Sequence, residues 1–186
     1  MAYTLGYPSE CDDIEVVHTC TDCNTPAEPA RLMSVFFMLD DFEFSNPALF
    51  SEWEAAILAG NVVVIPKTNG DFDGGTPQFE DGYGEELQQY VTTEFKANYK
   101  DRDLKANWAF YEGKKLSKRW RFGFRTKNYV FITNTPCTIV PRFPVENNIK
   151  GSVVWNVEVS WAERENPEIF DVPAGVFTCF TLTEEE

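Results

Sequence analysis

The sequence predicts a mainly β protein, an antiparallel β-sandwich or barrel with one or two flanking helices. Three observations support this prediction. Aromatic residues make up 15% of the 186 residues, and aromatic side chains favour strands. The second half of the chain consists largely of short segments in which apolar and polar residues alternate, the period of a half-buried strand. A clear helical period is confined to about 47–59 and a shorter stretch near Leu104–Tyr111.

The first half of the chain begins its regular structure with a strand. Met33–Leu39 is a short apolar run rich in strand formers, and two aspartates follow it. A helix is predicted at 47–59, because Pro47 suits a first turn and Gly60 suits the position after a helix end. Asn61–Ile65 then predicts a strand that Pro66 ends.

Residues 67–86 predict a long, acidic, glycine-rich surface loop. Glycines and carboxylates alternate there too densely for a regular element. A loop of this length in a compact domain usually has a function, so we expect contacts between subunits through four of its residues: Asp71, Asp73, Phe79 and Tyr83. The aspartates also suggest calcium, but the EF-hand spacing fails and a solvated loop is favoured.

The second half is predicted to be almost entirely strand. The strongest alternation runs from Val153 to Trp161, with valines and tryptophans on one face. A strand from Tyr90 and a short helix closed by Gly113 precede it. The remaining predicted strands are Trp120–Arg125, Tyr129–Thr133, Thr138–Phe143 and Gly175–Leu182.

The net charge of the chain indicates which classes of partner it can bind. Sixteen Lys and Arg against thirty Asp and Glu give a net charge of −14, which repels phosphate and argues against ordinary nucleic-acid binding. The beginning of the chain has neither a signal peptide nor a membrane-length apolar run, so we expect synthesis in the cytosol and reduced thiols. One domain at 32–183 is predicted between an N-terminal arm, 1–31, and a short tail, 184–186.

The arm contains a group of residues that could bind zinc: Cys11, His18, Cys20 and Cys23. Three thiols and an imidazole suit tetrahedral coordination, but the spacing lacks the paired hairpins of structural zinc sites. Reduced cysteines in an arm that packs on a neighbour are the favoured interpretation. The Cys20–Cys23 spacing also resembles a redox motif, without the βαβ context that such a motif requires.

The sequence gives no positive sign of catalysis or of a bound cofactor. The single histidine, His18, lies in no triad or nucleophile signature, and the phosphate-binding glycine motifs are missing. The chain is therefore predicted not to be an enzyme. A basic stretch, Lys114–Arg125, interleaves arginines with aromatic residues; alternation predicts aromatics in the core and arginines on the opposite face, facing acidic neighbouring subunits.

Several segments resemble virion proteins of crAss-like tailed bacteriophages. The resemblance covers about 20–182 and rests on Trp155–Trp161, Asn166–Phe170, Pro173–Cys179, Trp53–Pro66, Gly82–Gly84 and Asn107–Tyr111. It implies a tail-tube-like subunit of the virion. Such a subunit would form a ring of six- or twelve-fold symmetry in the tail or neck, lining or surrounding the DNA conduit. Its partners would be copies of itself and adjacent tail or portal-proximal proteins. The resemblance brings no catalytic residues with it.

Two other classes of function remain open from the sequence. One is a carbohydrate- or host-surface-binding β-sandwich, in which Phe79 and Tyr83 would stack on sugar rings. The other is a metal-stabilised regulator or enzyme, which would need zinc at Cys11, His18, Cys20 and Cys23. A capsid decoration or head-fibre role is also compatible with the composition.

Overall fold

The computed structural model describes residues 31–82, 87–114, 119–145 and 152–177. These ranges contain ten strands and two short helices. In chain order they are β1 (Ser34–Leu39), α1 (Phe50–Leu58), β2 (Val62–Ile65), β3 (Thr68–Phe72), β4 (Thr76–Glu80), β5 (Gln89–Asp101), α2 (Trp108–Lys114), β6 (Trp120–Arg125), β7 (Tyr129–Pro136), β8 (Thr138–Arg142), β9 (Trp155–Glu163) and β10 (Glu168–Asp171).

The strands form two antiparallel five-stranded sheets packed together as a sandwich. The first sheet has the order β10-β7-β6-β1-β2, and the second has the order β3-β5-β9-β8 with β4 also paired to β5. The predicted fold class, mainly β with flanking helices, is confirmed. Neither described helix has the length and apolar character needed to cross a lipid bilayer.

The strands β1 and β6 of the first sheet are buried on both faces. One face packs against the second sheet in a core that includes Phe37 and Phe122. The other face is covered by α1 and by the segment that carries Phe177, around Phe36 and Trp53. This double coverage explains why β1 is a continuous apolar run and not an alternating one.

The second sheet buries only one face. Along β9, Trp155, Val157, Val159 and Trp161 point into the core and alternate with half-buried or exposed residues. β5 alternates in the same way from Phe95 to Asp101. The strong alternation in the sequence therefore correctly identified a half-buried strand, although β9 begins at Trp155 and not at Val153.

The predicted helix at 47–59 is confirmed, but it is shorter. Asn46 accepts a hydrogen bond from the Ala48 amide, and its own amide donates to the Glu52 carboxylate. These two bonds hold 47–49 as a turn, so the helix begins only at Phe50. It ends as predicted, with Gly60 at a φ of 74°.

The prediction of an irregular loop at 67–86 is wrong over most of its described part, 67–82. β3 and β4 lie one after the other along the same edge of β5, pairing with its C-terminal and N-terminal parts. The thirteen-residue β5 supplies enough partners for both strands. This long-range pairing overrides the local preference of the glycines and aspartates.

Smaller differences concern the second half. α2 begins at Trp108 and includes Gly113, which was expected to end it. β10 was not predicted, and 174–177 form a turn where a strand was expected. The predicted arm, up to residue 30, the tail at 184–186 and the remainder of the last predicted strand, 178–182, lie outside the described residues.

Candidate assembly site

The hairpin of β4 and β5 extends past the neighbouring strand of its sheet. β4 pairs with Gln89–Glu94, whereas β9 pairs with β5 only from Thr93 onward. The first four residues of β5 therefore form a two-stranded ribbon with β4. Among the described strands, none lies beside the outer edge of β4. An unpaired edge of this kind is a template for pairing with another chain.

The junction between β3 and β4 is closed by a side chain. Asp73 Oδ1 accepts hydrogen bonds from the amides of Gly75 and Lys96, at 2.9 and 3.0 Å. The Asp73 carboxylate therefore accepts the hydrogen bond of the Lys96 amide, where the β5 ladder has no backbone carbonyl between β3 and β4. Gly75 has a φ of 88°, and a Cβ there would press on the Phe95 ring. Glycine is thus required where β3 turns into β4.

The β4–β5 hairpin exposes large apolar side chains to solvent. Phe79 on β4 is 56% exposed and Leu87, just before β5, is 87% exposed. Phe79 packs edge-on against Tyr90, with ring centroids 6.0 Å apart. Tyr90 donates a hydrogen bond to the Arg164 carbonyl, and the Arg164 side chain donates to the Val91 carbonyl. The base of the hairpin is therefore fixed while its apolar side chains are free to meet a partner.

The four residues predicted to make assembly contacts have different positions. Phe79 is exposed on the hairpin, and Asp71 is exposed on the outer face of the second sheet. Asp73 is exposed but is engaged in the β3–β4 junction. Tyr83 lies outside the described residues. Sequence reasoning missed Leu87, a single leucine between glutamates and glutamines that could have been noticed as an isolated apolar residue in a polar stretch.

The predicted outward face of arginines on β6 is wrong. Arg121 is buried and donates to the Phe42 carbonyl, and Arg125 lies with its guanidinium carbon 5.4 Å from the Phe177 ring centroid. Alternation does place Phe122 and Phe124 between the sheets. The opposite face is covered by the α1 layer, however, so Arg121 is buried and Arg125 is half-buried against that layer.

The proposed zinc ligands Cys11, His18, Cys20 and Cys23 lie outside the described residues. Within the described part of the chain, no three His, Cys, Asp or Glu side chains form a group suited to a metal ion. Among the described residues, Cys137 has a free thiol. This thiol is buried and donates a hydrogen bond to the Trp120 carbonyl. Burial raises the pKa of this thiol to about 12, so it stays protonated and unreactive.

A buried carboxyl group lies where β7 and β9 meet. Glu163 accepts hydrogen bonds from the indole of Trp161 and the amide of Asn134, both at 3.0 Å. Burial raises the pKa of Glu163 above its ordinary value, although these hydrogen bonds act in the opposite direction. The Thr135 hydroxyl, donating to the Ala162 carbonyl, joins the same two strands.

Glu163 should make stability depend on pH. Because its pKa is higher in the folded than in the unfolded chain, the folded state binds the proton more tightly. The Glu163 contribution to the free energy of unfolding should therefore decrease as pH rises from the ordinary glutamate range through the raised pKa. Relative to Glu163→Gln, the native chain should gain stability as the pH is lowered from neutral toward the ordinary glutamate pKa of about 4.3, measured by urea unfolding.

The exposed neighbour Glu165 provides the control for this measurement. Glu165→Gln should keep the pH dependence of the native chain. If Glu163→Gln and Glu165→Gln changed the pH profile equally, the burial of Glu163 would not be its cause.

Comparisons with protein-family models, with curated proteins and with solved structures find no match to this chain.

Proposed function

We propose that the chain is a structural subunit of a tailed-phage virion that assembles into an oligomeric ring in the tail or neck. The observation that carries the assembly part is the β4–β5 hairpin, with its open β4 edge and exposed apolar side chains. The virion part rests on the resemblance of the sequence to crAss-like phage proteins. The net charge of −14 agrees with a conduit wall that does not hold DNA.

The hairpin suits assembly for a physical reason. A two-stranded ribbon is only marginally stable by itself in water. Burying Phe79 and Leu87 against a neighbouring subunit would remove apolar area from water, and the β4 edge could pair with a strand of that subunit. A contact between the hairpin of one subunit and a different surface of the next is heterologous, and repetition of such contacts closes a ring when the rotation permits it.

The assembly part is tested by making the hairpin polar. In Phe79→Asp/Leu87→Asp, two charges replace exposed apolar side chains, so the fold should be retained while ring formation is lost. Mass photometry and negative-stain electron microscopy of the purified protein measure assembly, and circular dichroism measures folding. The control is Leu58→Asp at the end of α1, where Leu58 is 66% exposed; this variant should assemble like the native chain.

Two outcomes would contradict the assembly proposal. One is a native chain that stays monomeric at every concentration, both alone and after mixing with the proteins of disrupted phage particles. The other is a hairpin variant that forms normal rings. The virion assignment has a separate test. Antibodies raised against the protein should label the tail or neck of purified phage particles in immunogold microscopy. Labelling of the capsid surface alone would indicate a decoration protein instead.

A further inference from the structure

A groove of about 440 Å³ at one end of the sandwich concentrates positive charge. Four cationic side chains line it, and neither Asp nor Glu is among its lining residues: Arg31, Lys67, Lys100 and Arg102. They come from the approach to β1, the β2–β3 connection and the end of β5. In a chain with a net charge of −14, such a concentration requires an explanation, because like charges held together repel one another.

The backbone that carries the four cationic residues is held in place by the two sheets. The amides of Leu32 and Thr68 donate to the carbonyls of Gly70 and Met33, which fixes the backbone on either side of the groove. Asn69 and Lys100 are paired across β3 and β5. All four cationic residues are exposed.

An anionic ligand with oxygen acceptors would pair with the four cationic side chains that line the groove.

We propose that the groove binds the acidic N-terminal segment of the same chain. Residues 1–30 contain no Lys or Arg and six carboxylates, namely Glu10, Asp12, Asp13, Glu15, Asp22 and Glu28. The segment joins the described structure at Arg31, which itself lines the groove. Covalent attachment at this point gives the carboxylates an effective concentration on the order of millimolar, so weak individual ion pairs suffice.

The length of the segment permits this arrangement. From Glu15 to Arg31 a fully extended chain reaches about 50 Å, more than enough to return to a groove at its own point of attachment. The complementary charges would attract at low salt and be screened at high salt. Binding of this kind does not depend on the proposed ring, since it takes place within one chain.

Carbodiimide coupling of the full-length protein, followed by peptide mass spectrometry, tests this proposal. The reagent joins lysine amines to carboxylates in direct contact. Lys67 and Lys100 should couple to carboxylates between Glu10 and Glu28, while the exposed Lys105 and Lys127 serve as internal controls and should not. Raising the salt to about 0.5 M should lower the coupling yield about tenfold.

Isotope mixing identifies the chain that supplies the segment. In an equal mixture of ¹⁴N- and ¹⁵N-labelled protein, the coupled peptides should carry a single label. Peptides with mixed labels would assign the groove to a second copy and overturn the proposal. Loss of the couplings when a short DNA duplex is added would assign the groove to nucleic acid and overturn it equally.

A charge-reversal variant supplies an independent measurement. In Lys67→Glu/Arg102→Glu, coupling at Lys100 should fall about tenfold and amide exchange in 1–30 should become faster. Lys105→Glu/Lys127→Glu is the matched control and should change neither. Equal exchange of 1–30 in the native chain and in both variants would refute the proposal.

Discussion

Replacing Asp101 with alanine is expected to lower the free energy of unfolding by about 3 kcal/mol or more. Asp101 is fully buried at the end of β5 and accepts three hydrogen bonds. They come from the Asp103 amide at 2.9 Å, the Asn107 side chain at 2.6 Å and the Tyr111 hydroxyl at 3.0 Å. Alanine leaves all three donors without their acceptor.

The hydrogen bonds of Asp101 continue into the core. Tyr111 uses its hydrogen on Asp101, so Tyr99 donates to the Tyr111 oxygen across 3.2 Å. Burial raises the pKa of both tyrosines well above the ordinary value, which keeps the hydroxyls protonated and the chain of donors intact. Through this network β5 is joined to the turn before α2 and to α2 itself.

Urea unfolding measures the loss, with two variants for comparison. Asp103→Ala removes an exposed side chain and keeps the backbone amide that donates to Asp101, so it should cost little. Tyr111→Phe removes a single hydroxyl and should cost about 1 kcal/mol, more if the Tyr99 hydroxyl loses its acceptor. Equal stability of Asp101→Ala and Asp103→Ala would show that the network does not stabilise the fold.

Replacing Gly123 with alanine is expected to destabilise the protein by about 2–3 kcal/mol through overpacking. Gly123 lies on β6 directly opposite Phe36 on β1, and the Phe36 ring occupies the space that a Cβ at position 123 would need. An added methyl group would collide with that ring. The ring cannot easily move away, because Trp53 lies edge-on at 4.9 Å and Phe177 at 6.0 Å between ring centroids.

A second glycine gives the control for Gly123. Gly113 lies near the end of α2 with nothing within 4 Å of the position of an added Cβ. Gly113→Ala should therefore be neutral or stabilising by up to about 1 kcal/mol, since alanine is the better helix former. Both effects are measurable by thermal and urea unfolding.

A double variant isolates the cause. Phe36→Leu should be less costly in the Gly123→Ala background than in the native chain, because the smaller side chain relieves the collision. Additive effects of the two substitutions would show that the Phe36 ring is not what excludes a side chain at 123.

Features of the fold that depend on local sequence could be predicted, whereas features that depend on contacts between distant segments could not. The alternation in β9, the apolar run of β1 and the helical period around Trp53 are local signals, since each reflects the repeat of the backbone on which the residues lie. They were sufficient to predict the fold class and most of the strands. Phe79 was a candidate for assembly only as a residue of the predicted loop 67–86, and the structure exposes it on the β4–β5 hairpin instead.

Three features depended on residues far apart in the chain and were decided by tertiary structure. The glycine-rich stretch 67–86 became strands because β5 offered it a long edge. Arg121 of β6 became buried because the α1 layer covers its face. The basic groove joins Arg31, Lys67 and Arg102, which only the pairing of β3 with β5 and its bridge to Leu32 bring together. The sequence by itself determined which faces are apolar; tertiary packing determined what covers them, because burial depends on contacts between distant segments.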